Sequence, residues 1–175
     1  MRDDRLELYA DVNVLMNALL AWHGDEAPIA VAAQTTEYTG DPSSVMLSLI
    51  GSGELVNGRR LVLHSSRRVL LLTRAKLREH YGWADEPLNE ATLFLIGLVR
   101  DSDGIVCRDD DVVTTVQLPG LTDQEDVHRF SEAARCGANL LLTNDDDLLS
   151  AADPSVQPFI ITPRSFVQRY LTGSA

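Results

Sequence analysis

The sequence predicts an α/β protein: a central parallel sheet of four or five strands with helices on both faces, in three α/β/α layers. Three observations predict it. Apolar runs of strand length alternate with longer stretches whose apolar residues recur at helical spacing, the pattern of repeated strand–helix–strand units. Two of the runs, Leu6-Glu7-Leu8-Tyr9-Ala10 and Leu140-Leu141-Leu142, stop abruptly at polar residues, Asp11 and Thr143-Asn144. No internal repeat, low-complexity segment or linker divides the chain, so residues 1–175 are expected to form a single domain.

In chain order, the first strand ends at Asp11-Val12-Asn13, and Val14, Leu15, Ala18, Leu19 and Trp22 follow at helical spacing up to His23-Gly24. A short helix is expected around Ile29 to Ala33, then a turn at Thr39-Gly40-Asp41-Pro42. Asp41 caps the next helix, which Pro42 opens and Gly51 and Gly53 close. Leu61-Val62-Leu63-His64 is the second strand, and Ser65 or Ser66 caps a helix running to about His80. Gly82 to Pro87 reads as a loop, Leu88 to Val99 as a helix, and Gly104 to Cys107 as the third strand. Residues 108–122 read as loop or edge, with an acidic run at 109–111 and a β-branched patch from Val112 to Val116. Asp123 is the cap of a helix that Gly137 ends in a left-handed turn. Leu140 to Leu142 and Phe159 to Ile161 are the last two strands, and Thr162-Pro163 opens a final helix to about Leu171.

Right-handed crossovers permit a sheet wound outward both ways from its first strand, in the order third, second, first, fourth, fifth. The first and fourth strands then lie side by side, and Asp11 and Asp145 emerge together at the edge where such sheets bind ligands.

Composition narrows the classes. Hydrophobic content of 45% and charged content of 23% are ordinary for a soluble domain. No apolar stretch has membrane-helix length, and Met1-Arg2-Asp3-Asp4 is not a signal peptide. Cys107 and Cys136 lack metal-type spacing and are too few for a disulfide scaffold, so a reducing cytoplasm is expected. A formal net charge of −11 argues against loose, charge-driven binding of nucleic acid.

The stretch Thr143-Asn144-Asp145-Asp146-Asp147 carries the chemistry. Carboxylates gathered at a strand end repel one another unless protons or a cation neutralise them, and a hard divalent ion suits oxygen donors. The same residues also suit a helix start, with Asn144 or Asp145 as cap and Asp146 and Asp147 in the positive first turn. Asp11 and Asp126 carry the same two readings, a helix cap or first-turn acid against a metal ligand.

Taken together, Asp11-Val12-Asn13-Val14-Leu15, Glu125-Asp126 at a helix start, Thr143-Asn144-Asp145-Asp146-Asp147-Leu148 and Ile160-Ile161-Thr162-Pro163-Arg164-Ser165-Phe166 resemble a PIN domain. These are small α/β/α nucleases, many of them the toxin halves of bacterial toxin–antitoxin pairs. The resemblance implies magnesium- or manganese-dependent cleavage of RNA, an antitoxin protein as partner, and dimers. It assigns Asp11, Asp126 and Asp145 as catalytic metal ligands, Asp147 as an accessory ligand, and Asn13 and Thr143 as residues that support the acids by hydrogen bonds. One family acid is missing: its place falls near Leu71, and Glu79, eight residues on and about 12 Å along a helix, is too far to substitute. That absence supports an alternative, a weakened PIN domain that binds RNA or protein without cutting.

No acid interrupts the chain between Glu54 and Glu79, where Arg67, Arg68 and Arg74 are the residues expected to meet RNA phosphates or an acidic partner. The alternative is a solvated helix face paired with acids elsewhere. The histidines have no ligand-like spacing, so zinc is not expected.

Overall fold

The structure, a computed structural model, describes residues 4–22, 40–108 and 118–171. The expected helix at 29–33, the acidic run at 109–111 and the patch at 112–116 lie outside these residues.

A six-stranded sheet organises the chain. At its centre is β1 (Arg5–Ala10), with β3 (Arg59–Ser66) parallel on one side and β5 (Leu140–Leu142) parallel on the other. Leu8 stands opposite both Leu63 and Leu140. Beyond β5 lies β6 (Phe159–Ile161), and β4 (Val106–Cys107) pairs in parallel with the last residues of β3. The predicted order of five parallel strands is the observed one. The sixth strand is an addition: β2 (Leu55–Val56) returns antiparallel onto the start of β3. The turn between them is Asn57-Gly58, with φ of 51° and 74°, the two-residue type whose twist matches the right-handed twist of the paired strands. That Asn-Gly signal stands plainly in the sequence, and the shorter strand read over 61–64 missed it.

Helices cover both faces of the sheet. Successive residues of a strand point to opposite faces, and Leu8, Tyr9 and Ala10 are all fully buried. The mixed, mostly parallel sheet between helices is compatible with three α/β/α layers. The helices are α1 (Val12–Trp22), α2 (Pro42–Ser52), α3 (Arg67–Tyr81), α4 (Asp85–Asp101), α5 (Gln124–Arg135), α6 (Asp146–Ser150) and α7 (Pro163–Phe166), which continues as a π-helical turn to Leu171. Among the described residues no helix is long and apolar enough to cross a membrane.

Their ends follow the capping chemistry of the sequence. Asp41 Oδ2 accepts from the Ser44 N–H, Ser66 Oγ from Val69, and Thr162 Oγ1 from Ser165. Gly53, Gly82 and Gly137 take positive φ past the ends of α2, α3 and α5, a conformation that costs glycine no Cβ clash. One boundary needs correction. The loop expected over 82–87 is half helix, because Asp85 and Glu86 open α4 and Pro87 sits in its first turn, where a missing N–H leaves no hydrogen bond unmade.

Cys107, at the end of β4, is disulfide-bonded to Cys136, just after α5. The pairing removes the cysteine count as an argument for a reducing compartment.

Candidate metal centre

The adjacency of β1 and β5 continues past both strands. The Asp11 N–H donates to the Leu142 carbonyl at 3.0 Å, and the Asp11 carbonyl accepts from Val14 and Leu15, starting α1. The Asp11 side chain is therefore held between two strand ends, fully buried. Its Oδ1 accepts from the Val12 N–H at 2.6 Å and its Oδ2 from the Thr143 hydroxyl at 2.8 Å. The Thr143 oxygen in turn accepts from the Asp145 N–H at 3.0 Å. One hydroxyl thus orients two acids from opposite ends of the sequence. Asn13 acts one step further out, its Oδ1 accepting from the Asn144 N–H at 3.1 Å. It steadies the turn rather than touching an acid.

Asp145 satisfies both readings of its sequence. Its Oδ1 caps α6, accepting from Asp147 at 3.0 Å and Leu148 at 3.4 Å, while its Oδ2 faces inward toward Arg129. Asp126 stands in the first turn of α5, capped by Asp123, whose Oδ1 accepts from Glu125 and Asp126. The turn after β5 and the start of α5 meet here. Asp126, Asp145 and Asp147 each place a carboxylate oxygen within 4.8 Å of the others, a group that can hold a metal ion. Asp11 is not part of this group; its Oδ1 lies 3.4 Å from Arg129 Nε. Burial, followed by the nearby charge of Asp145, pushes the Asp126 carboxyl up from 3.8 to about 6, against the pull of Arg129.

Comparison with protein-family models, with characterised proteins and with solved structures finds no match. The site's chemistry rests on its own residues.

The residue the sequence reading missed is Arg129, only 8% exposed. Its Nη1 donates to Asp126 Oδ1 at 2.9 Å and lies 3.8 Å from Asp145 Oδ2. Its Nη2 donates to Glu125 Oε2 at 3.2 Å, and its Nε is 3.4 Å from Asp11 Oδ1. A buried charge has to be paired, and this one is surrounded by the predicted metal ligands. The signal was available: Glu125 and Asp126 precede Arg129 by four and three residues, neighbouring positions on a helix, and Phe130 and Ala133 mark the same stretch as buried.

One turn further along α5, Glu132 is 0% exposed. Its Oε2 accepts from the Tyr9 hydroxyl at 2.6 Å, and its Oε1 is 3.5 Å from His128 Nε2. Burial and the Glu132 charge push the Tyr9 hydroxyl well above its usual pKa, so the phenol keeps its proton and donates it to the carboxylate. A polar seam therefore runs beneath α5, from Asp11 to Tyr9 on β1.

Outside the cluster, a cleft of about 450 Å³ is lined by Pro119 to Asp123 on one side and Ser150 to Pro154 on the other, with Asp126 and Asp147 in its wall. The basic residues are largely engaged within the chain. Arg68 reaches Glu125 at 3.3 Å, Arg74 reaches Asn89 at 2.7 Å and Asp85 at 3.6 Å, and Arg78 also pairs with Asp85. Pairing with acids elsewhere describes Arg68 and Arg74; Arg67 is exposed. Leu71 is 53% exposed and lies one turn beyond Arg68, on the same face of α3.

Proposed function

We propose that this protein is a divalent-metal-dependent nuclease of PIN type acting on RNA. The observation that carries the reading is the convergence of Asp126, Asp145 and Asp147 at the carboxyl end of the parallel sheet, where open α/β sheets hold ligands. The donor set fits the ion: three carboxylates and no sulfur or imidazole suit magnesium or manganese. Asp126, Asp145 and Asp147 would hold it. When bound, such an ion supplies charge neutralisation and Lewis acidity toward water and phosphate.

The chain's own residues do the rest. Thr143 fixes Asp11 and the Asp145 backbone in one geometry, so the acids need no rearrangement to act together. The α6 cap holds Asp145 by one oxygen and leaves the other free to ligate. Asp123, Asp126, Asp147 and Asp153 make the wall of the cleft beside them acidic. A phosphodiester enters only when cations offset that charge, so activity should depend strictly on the metal.

The test is cleavage of a mixed-sequence RNA with manganese and with chelator, for the parent and for Asp145→Asn. Cleavage is expected only with the metal and only in the parent. Metal-independent cleavage, or equal cleavage by Asp145→Asn, would refute the assignment. Two features favour the second reading, a weakened domain that binds RNA or protein: Leu71 stands where the family acid would be, and Arg129 sits among the acids. On that reading the parent binds RNA without cutting it.

A further inference from the structure

We propose that Arg129 is a built-in counter-cation that competes with the divalent ion for the carboxylates and so sets the metal affinity of the site. The inference rests on the reading of Asp126, Asp145 and Asp147 as a metal centre. Three carboxylates, those of Asp126, Asp145 and Asp147, meet here, and one guanidinium lies within 4 Å of Asp126, Asp145 and the neighbouring Asp11.

The contacts are those of a substitute rather than of a fixed strut. Only one of the four acids, Asp126, receives a hydrogen bond from Arg129, at 2.9 Å. Asp145 stands at 3.8 Å from the same nitrogen, beyond hydrogen-bond range. The Nε, buried and 3.4 Å from Asp11, makes no hydrogen bond at all. A guanidinium is planar and satisfied best by paired, in-plane acceptors. Here it is spread over acids arranged around a point, which is the demand a small spherical cation meets better. Its second anchor, Glu125, is half exposed on the outer side, so the side chain has a partner to retain when the inner acids take up another cation.

A cation of either kind relieves the same repulsion, and the two positive charges compete at Asp126, whose Oδ1 already accepts from Arg129. The free energy of moving Arg129 off Asp126 is therefore subtracted from that of binding the metal. The outcome is a site that stays folded without metal and loads only when the ion is abundant.

Manganese binding by electron paramagnetic resonance titration, with thermal unfolding in parallel, tests this on the intact chain. Arg129→Gln keeps hydrogen-bonding ability and removes the charge. It should bind manganese roughly ten- to a hundredfold more tightly than the parent, the range over which residues around a metal site tune its affinity. Its melting temperature should fall in chelator and rise more steeply with manganese than the parent's. Arg129→Lys retains a charge with fewer directional donors and should fall between the two; it decides the matter if Arg129→Gln does not fold even with manganese. A purely structural ion pair predicts a different result, loss of stability with manganese affinity unchanged in both variants, and that result overturns the proposal while leaving the metal centre standing. Absence of manganese binding in the parent and both variants alike would overturn the metal centre itself.

Discussion

Asp126→Asn in the metal-free protein is a perturbation whose size follows from the structure. The Asp126 carboxyl is raised from 3.8 to about 6 in the folded chain, and each pKa unit corresponds to about 1.4 kcal/mol. A raised acid pKa means that the folded state holds the proton more tightly than the unfolded chain. The sign follows: stability is highest near pH 4, falls as the pH rises to about 6, and is flat above that, with a total loss of about 3 kcal/mol from this group. Asn has no proton to lose, and its Oδ1 can still accept from Arg129. Between pH 4 and pH 7.5, the stability of the variant relative to the parent should therefore shift in its favour by about 3 kcal/mol, or roughly 6–12 °C in melting temperature for a chain of this size. Urea and thermal unfolding of both proteins in chelator at the two pH values measure it. A relative stability that does not change with pH, or that shifts toward the parent, would refute the account of Asp126 as a buried acid crowded by Asp145. The same substitution should abolish the stabilisation that manganese gives the parent, trading function for stability.

Leu71→Glu should leave stability within about 0.5 kcal/mol, because Leu71 is exposed, and should strengthen manganese binding in the same titration; loss of stability, or unchanged affinity, would show that the face of α3 beyond Arg68 does not look onto the cluster. Tyr9→Phe removes the one hydrogen bond to a fully buried carboxylate and should cost about 1.5–3 kcal/mol in urea unfolding, the usual range for a bond to a charged group. A cost near zero would refute the reading of this bond as a stabilising contact of the buried seam.

How much of this was legible varied with the range of the interaction. Local chemistry was legible: Asp41 and Asp123 cap the helices they were expected to cap, Thr162 and Pro163 open the last helix, and Leu140 to Leu142 is a strand to the residue. The parallel order was legible too, because polar stops after two buried strands place Asp11 beside Thr143 only if the strands are neighbours. What escaped was set by depth. Arg129 and Glu132 carry charges that a helical pattern assigns to solvent, and only the position of β1 beneath α5 turns them inward. Leu71 is the mirror case, an apolar residue in an apolar run that the structure leaves outside. The bond between Cys107 and Cys136 depends on where β4 ends relative to α5, which no spacing in the chain encodes.

The placement of β5 also governs when the site can exist. β1 emerges early and finds β3 within the first two-fifths of the chain, but its other edge stays open until residues 140–142 arrive. Every acid of the cluster except Asp11 follows residue 120, and Asp11 receives its Thr143 hydrogen bond only after the strands meet. At synthesis rates of about 5–20 residues per second, a growing chain spends several seconds with a nearly complete sheet and no site. On the proposed reading, a nuclease assembled this way would be silent on the ribosome, next to the RNA that encodes it, and become competent only as the last strands dock.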